Sequence, residues 1–251
     1  MCTATWTTDD EGHHHLFFSR DERRSRSTAE PPRVREVDGT RILAPRDPDG
    51  GGTWILGNEF GLGVCLLNAW AEQAAAKPGE RSRGLLLMDL ATARELDEAR
   101  DRLTRALQKT RYAPFQILIL DSGGAILRHH WNGTELRARP IPAPPIVVSS
   151  AVSEEEVGRR RARLLAGLDG DPVEALRSFH LDPGTPDAQS VRMSRPEART
   201  VSLTQMTLIA GPSVRMRYWA RRGDGPFDDP DEASLPSLAG DCSGTFGGAS
   251  G

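Results

Sequence analysis

The sequence predicts an α+β layered domain. Three observations carry that expectation: a Thr- and Trp-rich strand pair at the N-terminus, a middle third with helical periodicity, and strand-like runs after it joined by tight turns. Elements with one apolar face hide it by stacking in layers, and strands on either side of a helical centre suit that arrangement. The 251 residues fit one large domain or two small ones, and a chain of this length buries about 70–75% of its extended surface.

Residues 3–8 hold Thr and Trp, which favour strands. Asp9-Asp10-Glu11-Gly12 is a turn cluster, and residues 14–19 read as the returning strand. Pro31-Pro32 is expected to break any regular element. Pro45-Arg46-Asp47-Pro48-Asp49-Gly50-Gly51-Gly52 reads as a flexible loop, and residues 53–57 and 62–68 as two short strands around a tight connection. Leu85, Leu86, Met88 and Leu90, then Leu96, Ala99, Leu103 and Leu107, recur near the helical period. A meander follows over residues 115–120, 125–131 and 135–139, with Asn132-Gly133 as a strong hairpin signal. Residues 146–149 form another strand. An amphipathic helix over 154–168 opens on Ser153 as N-cap, with Glu156 completing a capping box. Residues 173–179 form a short helix, and 200–210 with 214–221 form a last hairpin. From Gly223 the composition turns to Asp, Gly, Ser and Pro. The expected organisation is therefore a single domain over residues 1–222 and a disordered tail over 223–251.

Composition excludes several classes. The chain carries 32 Lys plus Arg against 35 Asp plus Glu, a net charge of −3, so bulk positive charge for nucleic acid is absent. Hydrophobic residues are 37%, and 25 Gly with 18 Pro dilute the core. No apolar run approaches the ~20 residues of a membrane helix. The first residues show no basic and apolar leader. Cys2, Cys65 and Cys242 are odd in number and widely spaced, which argues against a disulfide framework and makes a reducing cytoplasm the default. Apart from Lys77 and Lys109, all 30 basic residues are Arg, and their alternation with acids reads as a coding bias.

Cys2 is the most informative position. Trimming of Met1 before a small residue leaves a chain whose first residue bears both a thiol and a free α-amine. The amine can take the thiol proton directly or through one water, and the reference pKa values of about 8.5 and about 7.7–8.0 are close. A hairpin brings Arg20 and Asp21 back beside Cys2. There Arg20 can lower the thiol pKa and Asp21 can hold the α-ammonium. Gly50-Gly51-Gly52 reads equally as a cradle of backbone N–H groups for an anion, with Arg46 nearby, or as a plain flexible loop. His13-His14-His15 could bind a metal or haem iron but fits an ordinary hairpin surface better, as does His129-His130. Trp54 and Trp131 read as core.

Met1-Cys2, Ser19-Arg20-Asp21-Glu22, Arg46-Asp47-Pro48, Gly51-Gly52-Thr53-Trp54 and Asn68 together resemble the NRDE family of transport and Golgi organisation proteins. The resemblance is specific over residues 1–68 and looser to about Tyr218. Asn58-Glu59-Phe60-Gly61-Leu62, followed by Asn68, is similar to a segment of the cysteine branch of N-terminal nucleophile hydrolases, such as bile salt hydrolases and penicillin V acylases. The resemblance implies a four-layer αββα sandwich. It implies Cys2 as nucleophile, Arg20 and Asp21 around it, and Asn68 donating to a developing oxyanion. Substrate contacts are expected from Arg46, Gly51, Gly52, Thr53, Ser150 and Arg199. Two positions depart from the pattern: the motif's first asparagine is Ser19 here, and a later asparagine of the hydrolases is met by Ser150, whose hydroxyl donates one hydrogen bond where an amide has two donors.

Two functions stay open at this level. One is hydrolysis of a non-peptide amide or thioester by Cys2, with a small-molecule substrate and no cofactor. The other is a non-catalytic carrier or chaperone of haem, a lipid or an acyl-CoA in the same pocket.

Overall fold

The computed structural model describes residues 2–73, 78–181, 187–210 and 213–236. In chain order the elements are β1 (Cys2–Thr8), β2 (His14–Arg23), β3 (Glu30–Val37), β4 (Thr40–Arg46), β5 (Ile55–Asn58), β6 (Leu62–Asn68), α1 (Trp70–Gln73), α2 (Arg83–Leu90), α3 (Leu96–Lys109), β7 (Phe115–Asp121), β8 (Ile126–Trp131), β9 (Leu136–Ala138), β10 (Ile146–Ser149), α4 (Glu154–Ala166), α5 (Pro172–Leu181), β11 (Ala198–Ile209), β12 (Ser213–Ala220) and β13 (Asp231–Leu235). They build a six-stranded sheet, β10-β1-β2-β11-β12-β13, and a seven-stranded sheet, β3 to β9 in sequence order.

Side-chain alternation assigns the layers. Ala4 and Trp6 of β1 and Leu16 and Phe18 of β2 meet Cys65, Leu67, Leu118 and Leu120 of the other sheet in a core between the sheets. On the outer face of the six-stranded sheet, Phe17, Leu203 and Trp219 pack under Val157 and Leu165 of α4 and Leu176 and Phe179 of α5. On the outer face of the other sheet, Val64, Ile117 and Ile119 meet Leu86, Leu87 and Leu90 of α2 and Leu103 of α3. The order is helix, sheet, sheet, helix, the αββα sandwich that the sequence implies. Gly63 lets the sheets close up, because a Cβ there would lie 2.4 Å from Cε of Met206.

Several local expectations change. Pro31 and Pro32 do not interrupt the chain's regular structure but lie inside β3. β3 is an edge strand, and its pairing with β4 shifts register between Glu30 and Arg33, so the missing N–H groups cost no ladder bond. The helical middle splits into α2 and α3. Ser153 does cap α4, accepting from the Glu156 N–H at 3.1 Å. Glu156 instead accepts from the Gln189 side chain, so the reciprocal half of the capping box is absent.

The tail is the largest difference. The sequence reads everything past Gly223 as disordered, yet Asp231–Leu235 pairs with β12 as β13, and Leu235 is fully buried. The remainder of that tail, residues 237–251 with Cys242, lies outside the described residues. Among the described residues no helix is long and apolar enough to cross a membrane.

Candidate active site

The antiparallel registers converge on one end of the sandwich. Cys2 opens β1 directly opposite Arg20 of β2 on one side and Ser149 of β10 on the other. It shares the inter-sheet face with Ala4 and Trp6 and packs against that core. Asn68 ends β6 in the facing sheet. Between these ends lies a cavity of about 800 Å³ lined by Cys2, Arg20, Asp21, Gly52, Thr53 and Asn68.

Burial pushes the Cys2 thiol above its ordinary range. The N-terminal ammonium, a hydrogen bond from the Asp21 backbone N–H and the Arg20 charge only partly offset that rise, and the Asp21 charge adds to it. The expected lowering by Arg20 is therefore outweighed by desolvation. Arg20 has little charge to spare. Its guanidinium donates to Glu22 at 3.1 Å and Asp47 at 3.3 Å and lies 4.4 Å from the Trp54 ring centre.

Asp21, one residue on, belongs to the opposite face of β2. Its Oδ1 accepts from the Thr200 hydroxyl at 2.5 Å. Its Oδ2 is buried with no hydrogen-bond partner among the described residues. Burial raises the Asp21 pKa, with the N-terminal ammonium and Arg161 opposing.

The glycine loop is organised from within. Asp47 Oδ1 accepts from the N–H groups of Asp49 and Gly50 at 3.1 and 3.3 Å, and the Asp47 carbonyl accepts from Gly51 N–H. The N–H groups of Asp49, Gly50 and Gly51 are therefore spent within the loop. Gly52 is needed for close packing, since a Cβ there would lie 2.3 Å from the Gly84 carbonyl carbon at the start of α2. The Thr53 hydroxyl is tied to the Ile55 carbonyl at 2.8 Å.

Four expected contacts fall outside the cavity. Arg46 pairs with Glu30 at 3.3 Å, both side chains nearly half exposed. Gly51 sits in the left-handed region at φ +69°, with open space where a Cβ would lie. The Ser150 hydroxyl accepts from Val152 and Ser153 N–H at 3.2 and 3.3 Å, so it shapes the turn into α4. Arg199 lines a different pocket.

Asn68 lines the cavity and has no side-chain hydrogen bond among the described residues. The similar-looking Asn58 is fully used. It donates to the Ala91 and Ala93 carbonyls and accepts from Phe60 and Leu62 N–H, which fixes the β5–β6 turn.

Two arginines escaped the sequence reading. Arg83, in the first turn of α2, lines the cavity and donates to the Pro114 carbonyl at 2.7 Å. No carboxylate pairs with it among the described residues, and burial pushes it down to about 10. Arg161 of α4 is fully buried. It donates to the Thr3 hydroxyl and to the Gln189 and Ser190 carbonyls beneath β1. The signal for Arg161 was present: it falls at the centre of the stripe Val157, Arg161, Leu165, where a cation on an apolar face asks for a reason. The triple histidine is structural. His15 is buried and bonded to Asp9 at 2.9 Å, and no group of three metal-ligating side chains exists among the described residues.

The architecture is that of the N-terminal nucleophile hydrolases. Penicillin V acylase from Agrobacterium tumefaciens superposes with a TM-score of 0.59 at 11% identity, covering 95% of this chain and 87% of that one. A cysteine-to-alanine mutant of conjugated bile acid hydrolase from Clostridium perfringens gives 0.53 at 14%, covering 94% and 97%. The Caenorhabditis elegans orthologue of N-acylethanolamine-hydrolyzing acid amidase gives 0.53 at 12%, covering 82% and 92%. At these identities the likeness is one of fold. No curated protein matches the sequence. The chain belongs to the Transport and Golgi organisation 2 family, whose model matches residues 1–156.

Proposed function

We propose that the protein is an N-terminal cysteine hydrolase of small acyl compounds, with thioesters and non-peptide amides as its substrate class. The observation that carries this reading is the unpartnered, buried Asp21 Oδ2 beside a half-buried Cys2 in a cavity of about 800 Å³. A buried carboxylate oxygen without a donor is costly. Removal of Met1 supplies one, the α-amine of Cys2, whose N–H can donate to Oδ2 while its lone pair stays free to take the thiol proton.

In the first step the α-amine takes the thiol proton and Sγ attacks the acyl carbon. Asn68 donates to the oxygen that becomes anionic, a contribution of about 3 kcal/mol. Collapse expels the leaving thiol or amine, which takes the proton back from the α-ammonium. Water then attacks the acyl-enzyme thioester with the same amine as base, and the free acid leaves. A raised thiol pKa fits this course, because the thiol stays protonated until substrate arrives. With Ser150 outside the cavity lining, one identified donor serves the oxyanion. That favours thioesters, whose thiolate leaves readily, over amides. Arg83, a cavity cation without a carboxylate partner among the described residues, suits substrates with an anionic end.

The carrier reading rests on the same shortage of oxyanion donors: the cavity would hold an acyl chain or haem without turning anything over. The two readings part on a panel of acyl thioesters and amides. Turnover by the wild type that Cys2→Ala abolishes, with folding intact, is expected. No turnover, and ligand binding unchanged in Cys2→Ala, would leave the carrier.

A further inference from the structure

A second pocket of about 250 Å³ lies behind the wall formed by the end of β2. Seven arginines line it, against a single carboxylate, Glu22. The imbalance is local, since the whole chain carries a net charge of −3.

Four of the seven are accounted for. Arg20, Glu22, Arg23 and Arg26 form the wall shared with the Cys2 cavity, and Arg20 and Arg26 pair with Glu22 and Asp47. Arg24 pairs with Asp224 at 2.8 Å and Arg222 with Asp228 at 3.2 Å. Arg23, Arg199 and Arg221 are different. Among the described residues none of them has a carboxylate within ion-pair distance.

Arg221 is almost fully buried. Its guanidinium donates only to main-chain carbonyls, of Thr200 at 3.2 Å and of Asp224 and Gly225 at 2.9 Å each. Those bonds fix the cation in place without neutralising it. Arg199 enters from β11 next to the register shift between Thr200 and Ser202. Its Nε is buried with no acceptor. Burial, with Arg192, Arg199 and Arg24 around it, holds Arg221 below its usual value against the pull of Asp224.

Gathering such cations in one small space is costly unless an anion fills it. Guanidinium forks match phosphate oxygens in geometry as well as charge. A carboxylate offers one charge and two oxygens to three cations; a phosphate dianion offers more of both. The space is smaller than the ~300 Å³ at which pockets for drug-sized ligands begin, so it suits the phosphate end of a molecule and not a whole nucleotide.

We infer that the pocket bounded by Arg23, Arg199 and Arg221 is an anion site for a phosphate or diphosphate group, adjoining the Cys2 cavity across the wall of Arg20, Glu22, Arg23 and Arg26.

Calorimetric titration of the full chain with inorganic pyrophosphate, against sodium chloride at equal ionic strength, tests the inference. Saturable pyrophosphate binding is expected. Arg199→Met should weaken it at least tenfold, and Arg23→Met, at an exposed position that leaves the fold intact, should weaken it severalfold. Arg83→Met, in the other cavity, should leave it unchanged. Pyrophosphate heats no larger than those of chloride would overturn the site. So would wild-type affinity in both the Arg199 and Arg23 variants, or a loss confined to Arg83→Met.

Discussion

At Cys2 two physical effects oppose each other, and their balance shapes the chemistry. Desolvation raises the thiol, while Arg20, which would lower it, is already shared between Glu22 and Asp47. A thiolate resting on Arg20 is therefore not the expected ground state, and the adjacent amine becomes the natural base. In the proposed mechanism, Asn68 is the residue whose removal isolates oxyanion stabilisation. Asn68→Ala should lower kcat about 100-fold with KM little changed, because about 3 kcal/mol is lost in the transition state alone. Equal turnover in the variant would remove Asn68 from the mechanism. The grouping of Cys2, Arg20 and Asp21 is legible in the sequence because hairpin register follows from the pattern of β1 and β2, whereas Asn68, on β6 of the facing sheet, is singled out by the family resemblance alone. Arg83 is not, since in sequence it is one more charge among many. Ser150 misleads because a hydroxyl after a strand suits either an oxyanion or a helix entrance, and only the position of the Val152 and Ser153 N–H groups decides.

Among the elements, the central strands and helices are legible because each buries a periodic face. The edges are not. β3 carries two prolines and β13 reads Asp-Glu-Ala-Ser-Leu, and neither shows an apolar alternation. Both are edge strands, where one side of the ladder is free and propensity matters less. β13 is held by its pairing with β12 and by Leu235, which closes the inter-sheet core beside Val214 and Met216. Truncation after Pro236 should leave the melting temperature within about a degree or two, as neutral surface changes stay near ±0.5 kcal/mol. Truncation before Asp231 removes a fully buried Leu and an edge of the sheet, and should cost about 2–5 kcal/mol. Chemical denaturation of both truncations checks the difference, and equal stability would show that β13 contributes nothing.

For the whole molecule, the layers reach the site through His180. This fully buried histidine of α5 joins Thr5 of β1 at 2.8 Å and Ser19 of β2 at 2.7 Å, the two strands that carry Cys2 and Arg20. Burial pushes it down to about 3, with Arg161 adding to the effect. The unfolded chain binds this proton near pH 6.5 and the folded chain does not. Stability from His180 is therefore full above about pH 6.5 and falls as the pH drops toward 3, by about 1.4 kcal/mol per unit. Asp9 and Asp187, held at about 2, weaken the fold only below about pH 4. Urea unfolding between pH 6 and 4.5 should show that slope, and His180→Gln should flatten it; a wild type with no slope there would mean that His180 titrates normally. The sandwich itself is legible from the resemblance of the first 68 residues, whereas the long-range pairing of α5 with β1 and β2 has no local signature. In the proposed mechanism Cys2, with its own free amine, forms a covalent acyl intermediate. Intact-protein mass spectrometry of the wild type, quenched during incubation with an acyl thioester, tests it most directly. The expected species is a chain beginning at Cys2 that gains one acyl mass on that residue and loses it again as substrate is exhausted. A chain that retains Met1, or one that begins at Cys2 and never gains the acyl mass while substrate is present, would contradict it.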